Sequence, residues 1–326
     1  MTAPEFAGRQ LLKLALTVLG ISLIAFAGFK LMPGDPALVA CNPRAHECGP
    51  AALARARHEM GLDRPFLVQY WFFIKTWLQG HPLGWDAAWP AFVNTVSLLT
   101  GVVIIEIVVG TAMGVLAAVR HRQWQDKAVI VASAILIAPP TFLFATLFRY
   151  IFTSPFAFNG RLDLSKTFMI DVDPPPFPQP LDPSYWMAHL MWPSLAVATG
   201  GIGIVALVAR SSLLEVFGRE YTTAARARGV DQRQIITRHA LREIAPTIIT
   251  TVFLVDIARL LLAEALVEVV WSWPGAGSLA IGAAGARNGP LLVTTVMLLT
   301  LTVAIIATLV DILHGVIDPR VASALD

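Results

Sequence analysis

The sequence is poor in cysteine, in lysine and in charged residues overall. Two cysteines among 326 residues exclude a disulfide-dense secreted domain. The five lysines follow Leu, Phe, Ile, Asp and Ser, so the chain has no Gly-Lys dipeptide with which to cradle a nucleotide phosphate. Charged residues are 14% of the chain, against about 25% in soluble proteins, and a net charge of +2 is too small to indicate nucleic-acid binding.

Apolar residues are abundant instead, at 56% of the chain, and the mean hydropathy is +0.66. Because a helix of about 20 apolar residues crosses a bilayer, this composition predicts an all-α polytopic membrane protein. Six stretches qualify as transmembrane helices: residues 14–32, 92–119, 128–152, 186–209, 247–270 and 291–313. A signal peptide cleaved near residues 25–27 is the alternative for the first stretch, but the apolar run continues through Leu31 and Met32.

The distribution of positive charge orients these six spans. Segments 1–13, 120–127, 210–245 and 317–326 hold 13 Lys and Arg in 67 residues. The segments on the opposite side, 31–90, 153–186 and 272–290, hold 8 in 113 residues. Since positively charged loops remain in the cytoplasm, we expect both termini to be cytoplasmic.

The first outer segment contains signals for two helices, at 51–60 and 66–78. The second is rich in aromatic residues, which suits a helix at the membrane interface. Cys41 and Cys48 lie in the same segment, where an oxidising compartment favours a local disulfide. The alternative is a metal site that includes His46, but it lacks a fourth ligand, and we predict no metal site in the chain.

The cytoplasmic loop 210–246 holds seven arginines and signals for two further helices. The segment EYTTAARARG begins at Glu220, which complements the helix dipole, and ends at Gly229. Asp231 begins the next helix. Tyr221, Ala224 and Ala225 share one face of the first helix. A helix this short is marginal in water, so we expect it to dock on a partner, with binding to anionic lipid as the alternative.

EYTTAARARG, followed by RHALR and Pro246, resembles the EAA loop of binding-protein-dependent ABC importer permeases of the dipeptide, oligopeptide and nickel class. The segments LMPGDP, GLDRPFLVQY, WSWPGAG and DPR occur in the order typical of those permeases, so the resemblance covers nearly the whole chain. There are two departures in the loop. Pro246 comes one residue early, and Glu243, Ile244 and Ala245 replace the usual Asn, Ala and Leu.

The resemblance implies the type I ABC importer transmembrane fold in a bacterial plasma (inner) membrane. Residues 1–90 would be the first transmembrane helix and an extracytoplasmic helical segment, 91–316 the type-1 permease domain with its EAA loop at 210–246, and 317–326 a cytoplasmic tail. The implied partners are a second homologous permease subunit, two ATP-binding subunits and an extracytoplasmic solute-binding protein. The chain itself would have no catalytic residue and bind no cofactor, because ATP and Mg belong to the partner subunits.

The same resemblance implies which residues couple the chain to its ATPases. They are Glu220, Tyr221, Ala224, Ala225, Arg226, Arg228, Gly229 and His239. The cargo would be a peptide or a related small solute. A free-standing secondary transporter or channel is the alternative function, although we find no internal inverted repeat.

Charged residues inside spans cost about 2.5 to 3.5 kcal/mol each, so they are expected to face protein or a water-filled path. We predict a translocation path that includes Glu106 in the second span and Asp256, Arg259 and Glu264 in the fifth. Hydrogen bonding between helices is the alternative for these residues. A gate loop is predicted from Glu268 and from four residues of the WSWPGAG segment: Trp273, Pro274, Gly275 and Gly277.

Overall fold

The computed structural model describes residues 3–31, 37, 49–59, 61–80, 82, 84–153, 189–259 and 263–317. All regular elements in these ranges are helical. They are α1 (Ala3–Leu31), α2 (Pro50–Glu59), α3 (Phe66–Leu78), α4 (Trp85–Ile105), a first π turn (Glu106–Gly110), α5 (Thr111–Val119), α6 (Trp124–Ile137), α7 (Thr141–Thr153), α8 (Met191–Gly218), α9 (Glu220–Ala227), α10 (Gln232–Gln234), a second π turn (Ile235–Ala240), α11 (Leu241–Arg259), α12 (Ala263–Trp271), α13 (Ala276–Gly285) and α14 (Gly289–Ile317).

The chain divides into two compact units. The first comprises Met1–Thr95 and Pro274–Ile312, and the second comprises Val96–Trp273 and Leu313–Asp326. In the first unit, α3 packs against α1 through aromatic contacts. Phe26 of α1 lies with its ring centroid 5.2 Å from Phe66 and 5.5 Å from Tyr70, and Ser22 shares a 2.7 Å hydrogen bond with the Tyr70 hydroxyl.

The second unit is built around α8, which packs against α5, α6, α7 and α11. More than half of α8 is buried, because small and β-branched residues such as Ala198, Val205 and Ala209 line several of its faces. Small side chains allow helix backbones to approach closely inside a membrane. α8 is therefore the central helix of this unit.

Glycine residues set the contact between α8 and the segment that runs from α4 through the first π turn to α5. The facing pairs are Gly101 with Ser194, Glu106 with Gly201, Gly110 with Val205, and Gly114 with Ala209. A Cβ on Gly114 would be 2.5 Å from the Cβ of Ala209, which a packed interface does not tolerate. Residue numbers rise together along both partners, so the two segments run parallel.

The first π turn explains the spacing of these contacts. Gly101 and Glu106 are five residues apart, whereas Glu106, Gly110 and Gly114 follow one another at intervals of four. A π turn inserts one residue into an α-helix. The insertion brings both halves of the segment onto the same face, toward α8.

Four helices of the described chain are long and apolar enough to cross a membrane. They contain Gly8–Gly28, Trp85–Val119, Met191–Gly218 and Gly289–Ile312. The predicted third span is divided into α6 and α7, which meet at an angle of 96° around Pro139 and Pro140. The pair makes a fifth span if it crosses once. The predicted fifth span falls on α11 and α12, and residues 260–262 between them lie outside the described residues.

Several predicted boundaries agree with the structure. α3 has the predicted bounds, and α2 follows its prediction to within one residue at each end. The helix that begins near Asp231 continues through Pro246 to Arg259 instead of ending at the proline. Cys41 and Cys48 lie outside the described residues, so their disulfide stays a prediction.

Candidate functional site

α9 is a short helix that carries five of the predicted coupling residues: Glu220, Tyr221, Ala224, Ala225 and Arg226. Glu220 lies in its first turn, and the backbone turns at Gly229, whose φ of +78° suits glycine. Tyr221 is 41% exposed, Ala224 is exposed, and Ala225 is partly buried. The structure therefore leaves most of the predicted face open on the surface of the second unit.

Thr222 fixes the inner face of α9 to the end of α8. Its side chain is fully buried, and its hydroxyl donates a 2.8 Å hydrogen bond to the Val216 carbonyl. Arg226 lies 5.5 Å from the centroid of the Phe217 ring, within the range of a cation–π contact. A helix of eight residues is too short to be stable alone, so these contacts hold it in place.

The N-terminal end of α9 is also tied to α11. Glu243, in the first turn of α11, accepts hydrogen bonds from the Tyr221 hydroxyl and from the Arg219 guanidinium. Arg219 donates a second bond, of 3.0 Å, to Glu215 of α8. One arginine thus connects both helices that flank α9.

The electrostatics of this junction keep its donors protonated. The hydrogen bond to Glu215, together with the charge of Glu243, raises the pKa of Arg219. Desolvation raises the pKa of Tyr221, and its hydrogen bond to Glu243 raises it further. Tyr221 therefore remains a neutral hydrogen-bond donor across the physiological pH range.

An open cleft of about 320 Å³ lies beside this junction. Its lining residues are Tyr221, Arg238, His239, Arg242 and Glu243. The second π turn places Arg238 and His239 toward the cleft, so His239 lies beside the N-terminal part of α9 although it belongs to another element. At the start of that helical segment, the Asp231 carboxylate accepts a 3.1 Å bond from the Arg233 N–H, which confirms it as the N-cap.

A buried ion pair joins α6 to α8 at this end of the second unit. Asp126 accepts bonds of 2.5 Å and 2.9 Å from Nε and Nη2 of Arg210. The same carboxylate accepts a 2.9 Å bond from the Arg122 N–H in the turn before α6. The turn predicted to be cytoplasmic and the arginine-rich loop therefore lie at the same end of this unit.

The structure describes the side chains of two of the four predicted path residues. Glu106 and Glu264 are buried in the second unit, with 0% and 1% of their surface exposed. The carboxylate of Glu106 lies against Gly201, where any side chain would overlap it. The side chains of Asp256 and Arg259 lie outside the described residues.

The predicted gate loop is held by hydrogen bonds within each unit. In the second unit, Trp273 is buried and its N–H donates a 2.8 Å bond to the carbonyl of Glu268. In the first unit, the Pro274 carbonyl accepts a 3.0 Å bond from Asn94. Gly275 is the N-cap of α13, and Gly277 is buried within that helix.

Sequence reasoning missed five residues that organise this region. Thr222 and Arg219 received no role, and Glu243 stood out only as a departure from the usual residues of the loop. Asp126 and Arg210 are 84 residues apart, so no local pattern indicates their pairing. The buried position of Thr222, between exposed neighbours, follows from packing that the helix pattern alone does not specify.

Two family models match the chain. The model described as "Binding-protein-dependent transport system inner membrane component" matches residues 110–323, and "Binding-prot-dependent transport system membrane comp, N-term" matches residues 4–112. A dipeptide transport system permease protein of Escherichia coli (strain K12) is 29% identical over 97% of this chain and 98% of its own length. A di/tripeptide transport system permease protein of Pseudomonas aeruginosa (strain UCBPP-PA14) is 30% identical over the same shares. A glutathione transport system permease protein of Salmonella choleraesuis (strain SC-B67) is 29% identical over 96% of this chain and 97% of its own length.

Proposed function

Because the chain belongs to the family of binding-protein-dependent transport system inner membrane components and is the permease subunit of an ABC importer, we propose that it works by alternating access driven through α9. The observation that carries this proposal is the outward face of α9, which stays exposed although contacts to α8 hold the helix in place. Closure of partner ATPases would displace α9 and move the helices joined to it. ATP hydrolysis takes place on separate subunits.

The contact with an ATPase subunit would be formed by the outward face of α9 and by its arginine-rich surroundings. Tyr221, Ala224 and Ala225 give a small apolar patch, and Glu220 lies at its N-terminal end. Arg226, Arg228 and His239 would support the contact from the sides. Gly229 would end the contact segment, since its left-handed conformation turns the chain away.

We propose six transmembrane helices, with α6 and α7 together crossing once. The segment from α4 to α5 and helix α8 run parallel, and each is long enough to span a bilayer. Two parallel spans require the chain to cross the membrane an odd number of times between them. The apolar pair α6 and α7 lies between them in the chain. α11 and α12 would supply another span, and both termini would then be cytoplasmic.

Translocation would involve movement around the acids buried in the second unit. Glu106 and Glu264 are enclosed in the state described, so neither side chain faces a water-filled path in that state. Alternating access repacks helices, and a path that opened along α12 would expose Glu264 to the cargo. Glu268 and the buried Trp273 would hold the gate loop while this happens.

We further propose that the complete importer contains a second permease subunit, two ATP-binding subunits and an extracytoplasmic solute-binding protein in a bacterial inner membrane. The cargo would be a peptide, since the similar proteins named above transport dipeptides, di- and tripeptides, or glutathione. A free-standing secondary transporter or channel would need no ATPase. Co-purification of ATPase subunits with the chain therefore distinguishes an ABC importer from a free-standing transporter or channel.

The test is to extract the chain in mild detergent after co-expression with the candidate ATPase genes. We expect two nucleotide-binding subunits to co-purify with a pair of permeases. Proteoliposomes made from this complex should take up peptide only when ATP and a peptide-loaded binding protein are both supplied. Uptake by the chain alone, driven by an ion gradient, would support the secondary transporter instead.

A further inference from the structure

Glu243 lies at the junction between the candidate coupling helix α9 and α11. Hydrogen bonds from the Tyr221 hydroxyl and the Arg219 guanidinium converge on its two carboxylate oxygens. Both donors are close to the N-terminal end of α9, and the acceptor belongs to the first turn of α11. The bond from Arg219 joins opposite charges, and bonds of that kind are about twice as strong as neutral ones.

α11 is firmly packed just beyond this junction. Ile244, Ile248 and Val252 of α11 are buried together with Leu213 and Val216 of α8. Packed helices move as rigid elements because cores do not deform continuously. A force applied to Glu243 would therefore displace the first turns of α11 as a unit.

The ion pair that Arg219 forms with α8 is weaker than the one it forms with α11. Glu215 accepts a 3.0 Å bond from Arg219, but its side chain is 72% exposed, whereas that of Glu243 is 32% exposed. Solvent-exposed ion pairs contribute little. The guanidinium of Arg219 is therefore held more strongly by Glu243 than by Glu215.

We propose that Glu243 is a positioning residue that transmits displacement of α9 to α11. The proposal rests on the proposed function, because it requires an ATPase subunit to move α9. An acid at position 243 holds Tyr221 and Arg219 together, which a neutral amide does less strongly.

The experiment uses the complete importer in proteoliposomes, with Glu243→Gln as the test variant and Glu215→Gln as its matched control. Both substitutions remove one acidic partner of Arg219 at a partly exposed site, so neither is expected to prevent folding. Three quantities are measured: the ATPase subunits retained per permease, the ATPase rate, and the peptide taken up per ATP hydrolysed.

We expect Glu243→Gln to retain its ATPase subunits but to lower uptake per ATP by about fivefold, since a charge-assisted bond becomes a neutral one. Glu215→Gln should leave that ratio within about twofold of the unsubstituted protein, as expected for an exposed pair. A normal ratio in Glu243→Gln would overturn the proposal, and so would an equal fall in both variants. Loss of the ATPase subunits from Glu243→Gln alone would also overturn it, because the residue would then act in docking. If the unsubstituted protein itself retained no ATPase, the proposed function would fail instead.

Discussion

At the scale of single residues, Gly201 provides the space in which the Glu106 carboxylate lies. A methyl group at this position would overlap that carboxylate, whereas a methyl group on Gly282 of α13 would meet nothing within 4 Å. Both glycines are helical, so replacing either by alanine favours the helix by about 1 kcal/mol through propensity alone. The comparison of the two sites therefore isolates the steric effect.

We predict that Gly201→Ala lowers the free energy of unfolding by about 1 to 3 kcal/mol, as overpacking of a core does. Gly282→Ala should leave it unchanged or slightly higher. The measurement is thermal unfolding of each variant in detergent, followed by intrinsic tryptophan fluorescence. A midpoint for Gly201→Ala equal to that of Gly282→Ala would show that Glu106 does not depend on the space at Gly201.

The sequence alone identifies Glu106 as a costly charge within a span but does not show how the fold accommodates it. Its partner glycine is 95 residues away, and one glycine among 23 carries no local signal. Tyr221 and Gly229 are different, because they belong to a contiguous motif whose pattern can be recognised. Residues that act through neighbours in sequence were predictable, and those that act through distant neighbours were not.

At the scale of elements, the ion pair of Asp126 and Arg210 joins α6 to α8. Only 4% of the Asp126 side chain and 20% of the Arg210 side chain are exposed, so the two charges are largely removed from water. Breaking a buried pair leaves an uncompensated charge, which costs about 3 to 5 kcal/mol. Removing both charges relieves that penalty.

We therefore predict strong coupling in a double-mutant cycle of Asp126→Asn and Arg210→Gln. Each single variant should unfold at a clearly lower temperature, and the double variant should lose less stability than the sum of the two. The quantity to compare is the free energy of unfolding in the same detergent. Simple additivity of the two losses would mean that the pair does not act as a unit.

Helix ends were largely predictable because they depend on local chemistry. Asp231 caps the segment that follows it, and Gly229 takes the left-handed conformation that ends α9. The two π turns and the 96° angle between α6 and α7 were not predicted. A π turn depends on which face of its own helix must contact a neighbouring helix, and the local sequence does not specify that face. Pro139 and Pro140 indicate a bend in the span, but they do not fix its angle.

At the scale of the whole molecule, the low content of charge indicates a multi-span membrane protein, and the resemblance of residues 220–246 to an EAA loop indicates a binding-protein-dependent permease. The family matches confirm that the chain is such a permease. The number of spans and their orientation stay predictions. They imply that α3 can be reached from outside the membrane and that the start of α6 can be reached only from the cytoplasm. Leu67 of α3 and Trp124 of α6 are 76% and 74% exposed, so both are suitable probe positions.

We predict that, with Cys41 and Cys48 replaced by serine, a Leu67→Cys variant reacts with an impermeant maleimide in intact cells. A Trp124→Cys variant should react only after the membrane is permeabilised, because the distribution of positive charge predicts that the turn before α6 faces the cytoplasm. The extent of labelling is read from the mass shift of the purified chain. Labelling of Trp124→Cys in intact cells would reverse the proposed orientation.

The function proposed for this chain depends on α9 receiving the movement of the ATPase subunits. It is tested by the peptide taken up per ATP hydrolysed by the complete importer carrying Ala225→Glu, compared with Thr223→Glu, which lies about 160° around the same helix from Ala225. We expect Ala225→Glu to lose both uptake and the stimulation of ATPase activity by the loaded binding protein, because a charge enters the docking face, whereas Thr223→Glu keeps both near normal. Uptake per ATP in Ala225→Glu equal to that of the unsubstituted protein would show that α9 does not receive this movement.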